Sequence, residues 1–344
     1  MAPLTGAWTS EGQAMQKIVL LLAEQQNAKG GVLGRKIDIV TEDDGSDPKT
    51  AALAAQRLVA AGVVAVIGTY GSSVTEASQP IFAAAAIPQI ANGSTAIDLT
   101  AKGYPGFFRT APRDDEQGRV AGRMMQQRGF KRIALLHDGS AYGKGLAQQA
   151  NEALDKRFVE VVYHDALTPG RQDYSAVLRT LKTANPDVVF FTGYFPEAAV
   201  LLRERKAMNW NVPFIGGDAN NNPALAKAAG NEAVAQFMFL SPRVAQDLDA
   251  PEAKAFVAAY QARYGESPMS IWAVLAGDAF RVIVAAIAGA GSTDGTAIGK
   301  YLHQRMRNFP GYSGPITFDD AGDRKSEVYR IYQMDAHGTA VLLN

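Results

Sequence analysis

The chain has 344 residues, more than one ordinary hydrophobic core accommodates and about right for two domains of roughly 150 residues each. Hydrophobic residues make up 47% and charged residues 20%, and Lys+Arg balances Asp+Glu at 34 each. That profile fits a globular chain and leaves a disordered chain, a nucleic-acid surface or an anionic-membrane surface without support. With no cysteine, disulfides, thiolate zinc sites and cysteine nucleophiles are excluded.

At the N-terminus, Met1 is followed directly by Ala-Pro-Leu-Thr-Gly, without the basic region and apolar core of a signal peptide. Either a leader has been removed or the protein is cytoplasmic. A parallel βαβ domain begins with a strand, yet only Met1 and Ala2 precede this turn, so the opening strand is missing or supplied by residues outside this sequence. Strands are then expected at Lys36–Glu42, Val63–Thr69, Ile87–Ala91 and Gly106–Thr110, with a helix at Pro48–Ala61 capped by Asp47. After a polar, turn-prone interval at Pro112–Gln117, a second series follows: Arg132–His137, Val159–Tyr163, Asp187–Thr192, Val212–Gly216 and Gln236–Leu240. Helices at Glu116–Arg128, Tyr142–Arg157, Tyr174–Ala184 and Glu197–Met208 are interleaved with these strands. Beyond a second interval at Ser241–Pro251, Glu252–Tyr264 and Ile271–Ala290 read as helices, the latter so apolar that it is expected inside a core. Unbroken apolar runs such as Ile283–Ala290 fall short of the roughly 18 residues of a membrane span. Alternation of strand and helix predicts an α/β fold with doubly wound parallel sheets, and the two series look like similar halves.

In such sheets ligands bind beyond the carboxyl ends of the strands, where loops lead into helix N-termini. Two loops there are rich in glycine and hydroxyls: Tyr70-Gly71-Ser72-Ser73-Val74-Thr75 and Asn92-Gly93-Ser94-Thr95. Free backbone N–H groups and hydroxyls suit a carboxylate, and the same residues also serve as plain N-caps. In the second series, Gly193-Tyr194 and Gly217-Asp218 end strands. Asp218 is placed to pair with an ammonium group, although its spacing before Asn220-Asn221-Asn222-Pro223 by itself favours a turn.

No dinucleotide fingerprint, Walker loop or nucleophile elbow is present, and His137, His164, His303 and His337 are far apart. Asp43-Asp44-Gly45-Ser46-Asp47 lacks the ligand order of a calcium loop and reads as a turn and helix cap. No catalytic residue, metal or cofactor is therefore expected.

An ordered set of segments carries a resemblance: Ala2-Pro-Leu-Thr-Gly6, Asn27–Gly34, Asp43-Asp44 with Asp47-Pro48, Val66-Ile-Gly68 with Ser72-Ser73, and Asp98–Tyr104. Phe108-Arg109-Thr110, Gln117-Gly118, Tyr142–Gly145, Asp173-Tyr174, Pro186-Asp187, Gly193-Tyr194, Gly216-Gly217-Asp218 and Gly277-Asp278-Ala279 continue it. From Ala2 to about Asp335 the chain resembles the Leu/Ile/Val-binding family of type I periplasmic binding proteins. The resemblance implies two Rossmann-like lobes joined by three hinge crossovers, residues 1–113 with 242–318 and residues 114–241 with 319–344. It implies a periplasmic or cell-surface solute-binding component of an ABC importer, a monomer that closes on an amino acid or close analogue and delivers it to a membrane permease. Carried over residue by residue, the ligand carboxylate would meet Ser72, Thr95 and the backbone of Gly93. Tyr142 and Tyr194 would be aromatic neighbours in the second lobe, Asp218 the partner of the α-ammonium, and Trp272 would stand near the cleft mouth. Trp8 and Tyr70 are further aromatic candidates for the side-chain pocket, and the adjacent Ser73 and Ser94 belong to the same loops.

Two departures from the family matter. Glu11 stands where branched-chain binders carry a Tyr, which argues against a purely aliphatic cargo. Ser46 and Gly71 occupy the positions of a cysteine pair found in some members, so that disulfide cannot form. Competing readings are the ligand-sensing domain of a receptor or transcription regulator, and a binder of an aromatic carboxylate or amide.

Overall fold

The computed structural model describes residues 1–268, 270–325 and 328–343. The chain divides into two compact units, Met1–Pro112 with Arg243–Glu327 and Arg113–Pro242 with Val328–Asn344, so it passes from one to the other three times.

In the first unit, three short parallel strands, Val66–Ile67, Gln89–Ala91 and Phe107–Arg109, lie side by side in that order. One apolar layer comes from the Pro48–Ala60 helix, whose Ala51, Ala54, Ala55 and Leu58 repeat at helical spacing and pack with Val66, Val74 and Phe82. Asp47 caps that helix through Thr50 N–H at 2.9 Å, as its position before Pro48 predicts. Another layer comes from the Ile271–Ala290 helix, where Ala279, Val282, Ile283, Ala286 and Ile287 meet Ile90 and Phe108. This helix is long and apolar enough to cross a membrane, yet 72% of its apolar window is buried inside the protein, as expected of a core helix.

Two expectations are corrected here. Lys36–Glu42 is extended but forms no strand among the described residues; only Asp43 bridges, in parallel, to Ala2. A strand exists by its ladder, and here no neighbouring strand supplies one. The last boundary, expected after residue 318, also falls too early. Asp323 is buried against Arg109 and Thr100, and Phe318 bridges Arg324, so residues 319–325 belong to the first unit.

The second unit holds a seven-stranded sheet in the order Ala340–Leu343, Arg330–Met334, Met238–Ser241, Phe214–Gly216, Val188–Thr192, Arg132–His137, Glu160–Ala166. Its last five strands are parallel, and their centres are continuous apolar runs, Ile133–Leu136 and Val188–Phe191, all fully buried. The two antiparallel strands at the other edge come from the C-terminal return of the chain and have no counterpart among the expected elements.

Candidate functional site

In the first unit, the strands Val66–Ile67 and Gln89–Ala91 both end in the hydroxyl-rich loops. Ser72 opens the helix Ser72–Ala84, so that helix's first amides and its positive dipole end lie at the loop. Ser72 is 1% exposed, and its Oγ accepts from Ala96 N–H at 3.3 Å, which joins the two loops and leaves the hydroxyl proton available. Thr95 is equally buried and makes no hydrogen bond among the described residues. Gly93 is fixed by crowding: a Cβ there would stand 2.8 Å from Tyr70 Cα and 3.0 Å from its carbonyl oxygen.

Ser94 has a different place. Its Oγ lies 2.5 Å from Thr75 Oγ1 and donates to Thr69 O at 3.1 Å, so it braces the loop from behind. Arg109, fully buried, does the same from the next strand. Its guanidinium donates to Ala96 O at 2.8 Å and Thr100 Oγ1 at 2.7 Å while pairing with Asp323. Neither Arg109 nor Asp323 was singled out by spacing. A charged residue inside an apolar strand, Phe107-Phe108-Arg109, was the available signal, since a buried charge demands partners.

The aromatic candidates of this unit form one cluster. Trp8 meets Tyr70 edge-on at 5.7 Å between ring centroids, and Tyr70 meets Trp272 at 6.0 Å. Trp272 is 1% exposed, and its indole N–H has no hydrogen-bond partner among the described residues. Glu11 is wholly buried one helical turn beyond Trp8 and accepts a hydrogen bond from Ser270 Oγ. Ser73 starts the same helix as Ser72 and is only partly buried.

In the second unit, Asp218 begins a short turn after the strand Phe214–Gly216 and is 1% exposed. Tyr329 Oη donates to Asp218 Oδ2 at 2.6 Å. Gln117 closes the ring: its Nε2 donates to Tyr329 Oη at 3.0 Å, and its Oε1 accepts from Asp218 N–H at 2.9 Å. Tyr142 Oη accepts from Ala219 N–H at 3.4 Å, and Tyr142 packs on Tyr194 at 5.3 Å between centroids. Burial pushes the Asp218 carboxyl up to about 6, with the Tyr329 and Tyr142 hydrogen bonds holding it down. The same burial, with the Asp218 charge nearby, raises both tyrosines well above their ordinary range. Gly217 admits no side chain, because a Cβ would fall 2.3 Å from Tyr142 Oη.

Tyr329 is the residue that sequence reasoning missed. It lies 111 positions from Asp218, immediately before the strand Arg330–Met334 that returns to this unit. Glu116 fastens that return by accepting from Val328 N–H at 2.6 Å and Tyr329 N–H at 3.3 Å. Of the expected residues, the first unit thus assembles Trp8, Glu11, Tyr70, Ser72, Ser73, Gly93, Ser94, Thr95 and Trp272. The second assembles Tyr142, Tyr194 and Asp218.

Chemically, one unit offers dipoles to an anion and the other a carboxylate to a cation. Among the described residues, no group of His, Asp and Glu is arranged to hold a metal. Residues 1–339 match the family model described as periplasmic binding protein. The leucine-, isoleucine-, valine-, threonine- and alanine-binding protein of Pseudomonas aeruginosa is 32% identical over 338 residues, 98% of this chain and 89% of that one. Among solved structures, the leucine-binding protein LivK of Thermotoga maritima matches with a TM-score of 0.92 at 29% identity, covering 100% of this chain and 96% of that one. The branched-chain amino acid transporter substrate-binding protein LivJ of Streptococcus pneumoniae, in complex with isoleucine, gives 0.90 at 27% identity, covering 99% and 97%. With dipole-rich loops in one unit, a caged carboxylate in the other, and a family match along almost the whole chain, this protein belongs to the periplasmic binding protein family.

Proposed function

We propose that this chain is the solute-binding component of an ABC importer and that its cargo is an α-amino acid or close analogue. The first unit receives the carboxylate through Ser72, Thr95 and the amides of their loops. The second receives the α-ammonium through Asp218, with Tyr142 and Tyr194 as aromatic neighbours. The observation that carries this reading is the Asp218 cage. A buried carboxylate braced by Tyr329 and Gln117 is costly to the free protein and gains its return when a cation arrives. The protein works as a periplasmic or surface-anchored monomer, with a membrane permease as partner and with no nucleic acid, cofactor or chemical conversion of the cargo.

A thermal-shift screen over amino acids and small carboxylates tests this proposal. A ligand at one hundred times its dissociation constant adds about 2.7 kcal/mol of stability. Asp218→Asn keeps the shape of the cage and removes its charge, so calorimetry should show the best ligand weakened at least tenfold. Unchanged affinity rejects Asp218 as the ammonium partner.

The Trp8–Tyr70–Trp272 cluster and buried Glu11 support a second reading, an aromatic carboxylate or amide as cargo. Such a ligand would depend on Ser72 and Thr95 and be indifferent to Asp218→Asn.

A further inference from the structure

Two polar atoms buried beside the loops of the first unit have no hydrogen-bond partner among the described residues: the indole N–H of Trp272 and the side-chain oxygen Oδ1 of Asn92. Trp272 is 1% exposed and Asn92 wholly buried, so bulk solvent does not serve either atom. Buried indole N–H and amide groups usually find partners, and an orphan of either kind calls for a physical reason. The Asn92 amide cannot be turned round to remove its orphan. Its Nδ2 donates to the backbone oxygen of Trp272 at 3.0 Å, and a flip would set two oxygens against each other. The same bond ties the two orphans together, a donor and an acceptor on bonded residues.

The surroundings form a closed circuit of contacts. Trp272 meets Tyr70 at 6.0 Å between ring centroids, and Tyr70 meets Trp8 at 5.7 Å. Gly93, next to Asn92, lies so close to Tyr70 that a Cβ would stand 2.7 Å from its Cδ2. From Trp8 the helix Thr9–Ala28 leads in one turn to Glu11, whose N–H donates to Trp8 O at 3.0 Å. Glu11 is wholly buried and accepts from the hydroxyl of Ser270, two residues ahead of Trp272. A carboxylate accepts from several donors at once. Among aromatic rings, the circuit therefore holds one donor, Trp272 Nε1, and two acceptors, Asn92 Oδ1 and the Glu11 carboxylate.

A primary carboxamide answers all three, with a C=O for the indole N–H and two N–H bonds for Asn92 and Glu11. A carboxylate of the same shape offers no donor and meets Glu11 as a like charge. An ammonium offers no acceptor to the indole, a hydroxyl has one proton for two acceptors, and an alkyl group leaves every one of these atoms unanswered. We infer that the cargo's side chain ends in a primary carboxamide, received by this circuit of the first unit with Glu11, Asn92 and Trp272 as specificity-determining residues. The inference rests on the reading of the cargo as an α-amino acid and names its class.

Calorimetry with L-asparagine and L-glutamine, their acids L-aspartate and L-glutamate, and L-leucine tests it. Leucine reproduces the outline of asparagine without the polar atoms, and the acids reproduce the amides with a charge. The better amide should bind the parent roughly 100-fold or more tightly than leucine and than its own acid, because a site built around hydrogen bonds rejects analogues that lack them. Trp272→Phe keeps an aromatic ring and removes the N–H, so it should weaken that amide at least tenfold more than it weakens leucine. Glu11→Gln removes the like charge and should narrow the preference for the amide over its acid at least tenfold, a readout independent of how the Trp272 variant folds. Leucine binding as tightly as the amides, with its affinity lost in Asp218→Asn, overturns the inference and leaves the α-amino-acid reading standing. Failure of all five to bind overturns it too, and the wider screen then decides that reading.

Discussion

On the proposed reading, the two units meet the problem of binding a charged group with opposite means. In the first unit the loops proposed to take the carboxylate offer dipoles, Ser72, Thr95, loop amides and a helix N-terminus, while the buried carboxylate of Glu11 is bonded by Ser270. Arg109 and Asp323 lie behind the loop and neutralise each other. The second unit would offer a ligand a real charge, Asp218, which Tyr329, Tyr142 and Gln117 surround. A neutral hydroxyl or amide costs far less to bury than a charge, even where it lacks a partner. The Asp218 carboxylate costs more, so it is held in a partly neutralised state at a pKa of about 6. An anion site of this kind is insensitive to pH near neutrality, whereas the cation site titrates there.

The sharpest way to break this comparison is to disturb the hidden pair. Arg109→Met leaves Asp323 buried without its partner and should cost about 3–5 kcal/mol in urea unfolding. A loss below 1 kcal/mol would mean the pair does not hold the loops. Asp218 makes the opposite prediction for stability. Its folded pKa is raised from 3.8 to about 6, so the stability linked to its neutral form is complete below about pH 4 and is lost as pH rises through 6. Ligand-free Asp218→Asn should therefore be more stable than the parent by up to roughly 3 kcal/mol at pH 8, with the two converging near pH 4. An acidic residue retained against that cost is what a functional site predicts.

Smaller changes sharpen the contrast. Tyr329→Phe removes the 2.6 Å hydrogen bond to the carboxylate and should weaken an amino-acid ligand by about tenfold at pH 7. It should also move the acid limb of binding to higher pH, which a merely structural tyrosine would not do. Ser72→Ala removes one neutral donor among several and should cost about fivefold in calorimetry, with no change in pH dependence.

Much of the architecture could be read from the sequence because parallel strands buried on both faces leave unbroken apolar runs, as at Ile133–Leu136 and Val188–Phe191. The strands that went astray are those whose state depends on a neighbour. Lys36–Glu42 has strand composition and no ladder, and the hairpin Arg330–Met334 with Ala340–Leu343 completes a sheet begun two hundred residues earlier. The candidate site divides along the same line. Ser72, Thr95 and Asp218 follow strand ends, where local spacing left an N-cap or turn reading open and the family resemblance supplied their proposed roles. Tyr329 and Asp323 reach the site only through the chain's late returns, and no local pattern announces a hydrogen bond across 111 or 214 positions. Ser94 shows the limit of composition, since its hydroxyl fits a ligand or a loop brace equally well until its bonds to Thr75 and Thr69 are seen.

Calorimetric titration of the best amino-acid ligand between pH 4.5 and 8, on the parent and on Asp218→Asn, tests the central claim most directly. Affinity of the parent should be level above pH 7 and fall as the carboxylate takes up its proton in the acid range, while the variant binds at least tenfold more weakly at pH 8 and shows no such limb. Identical, pH-independent curves for both proteins would contradict the account.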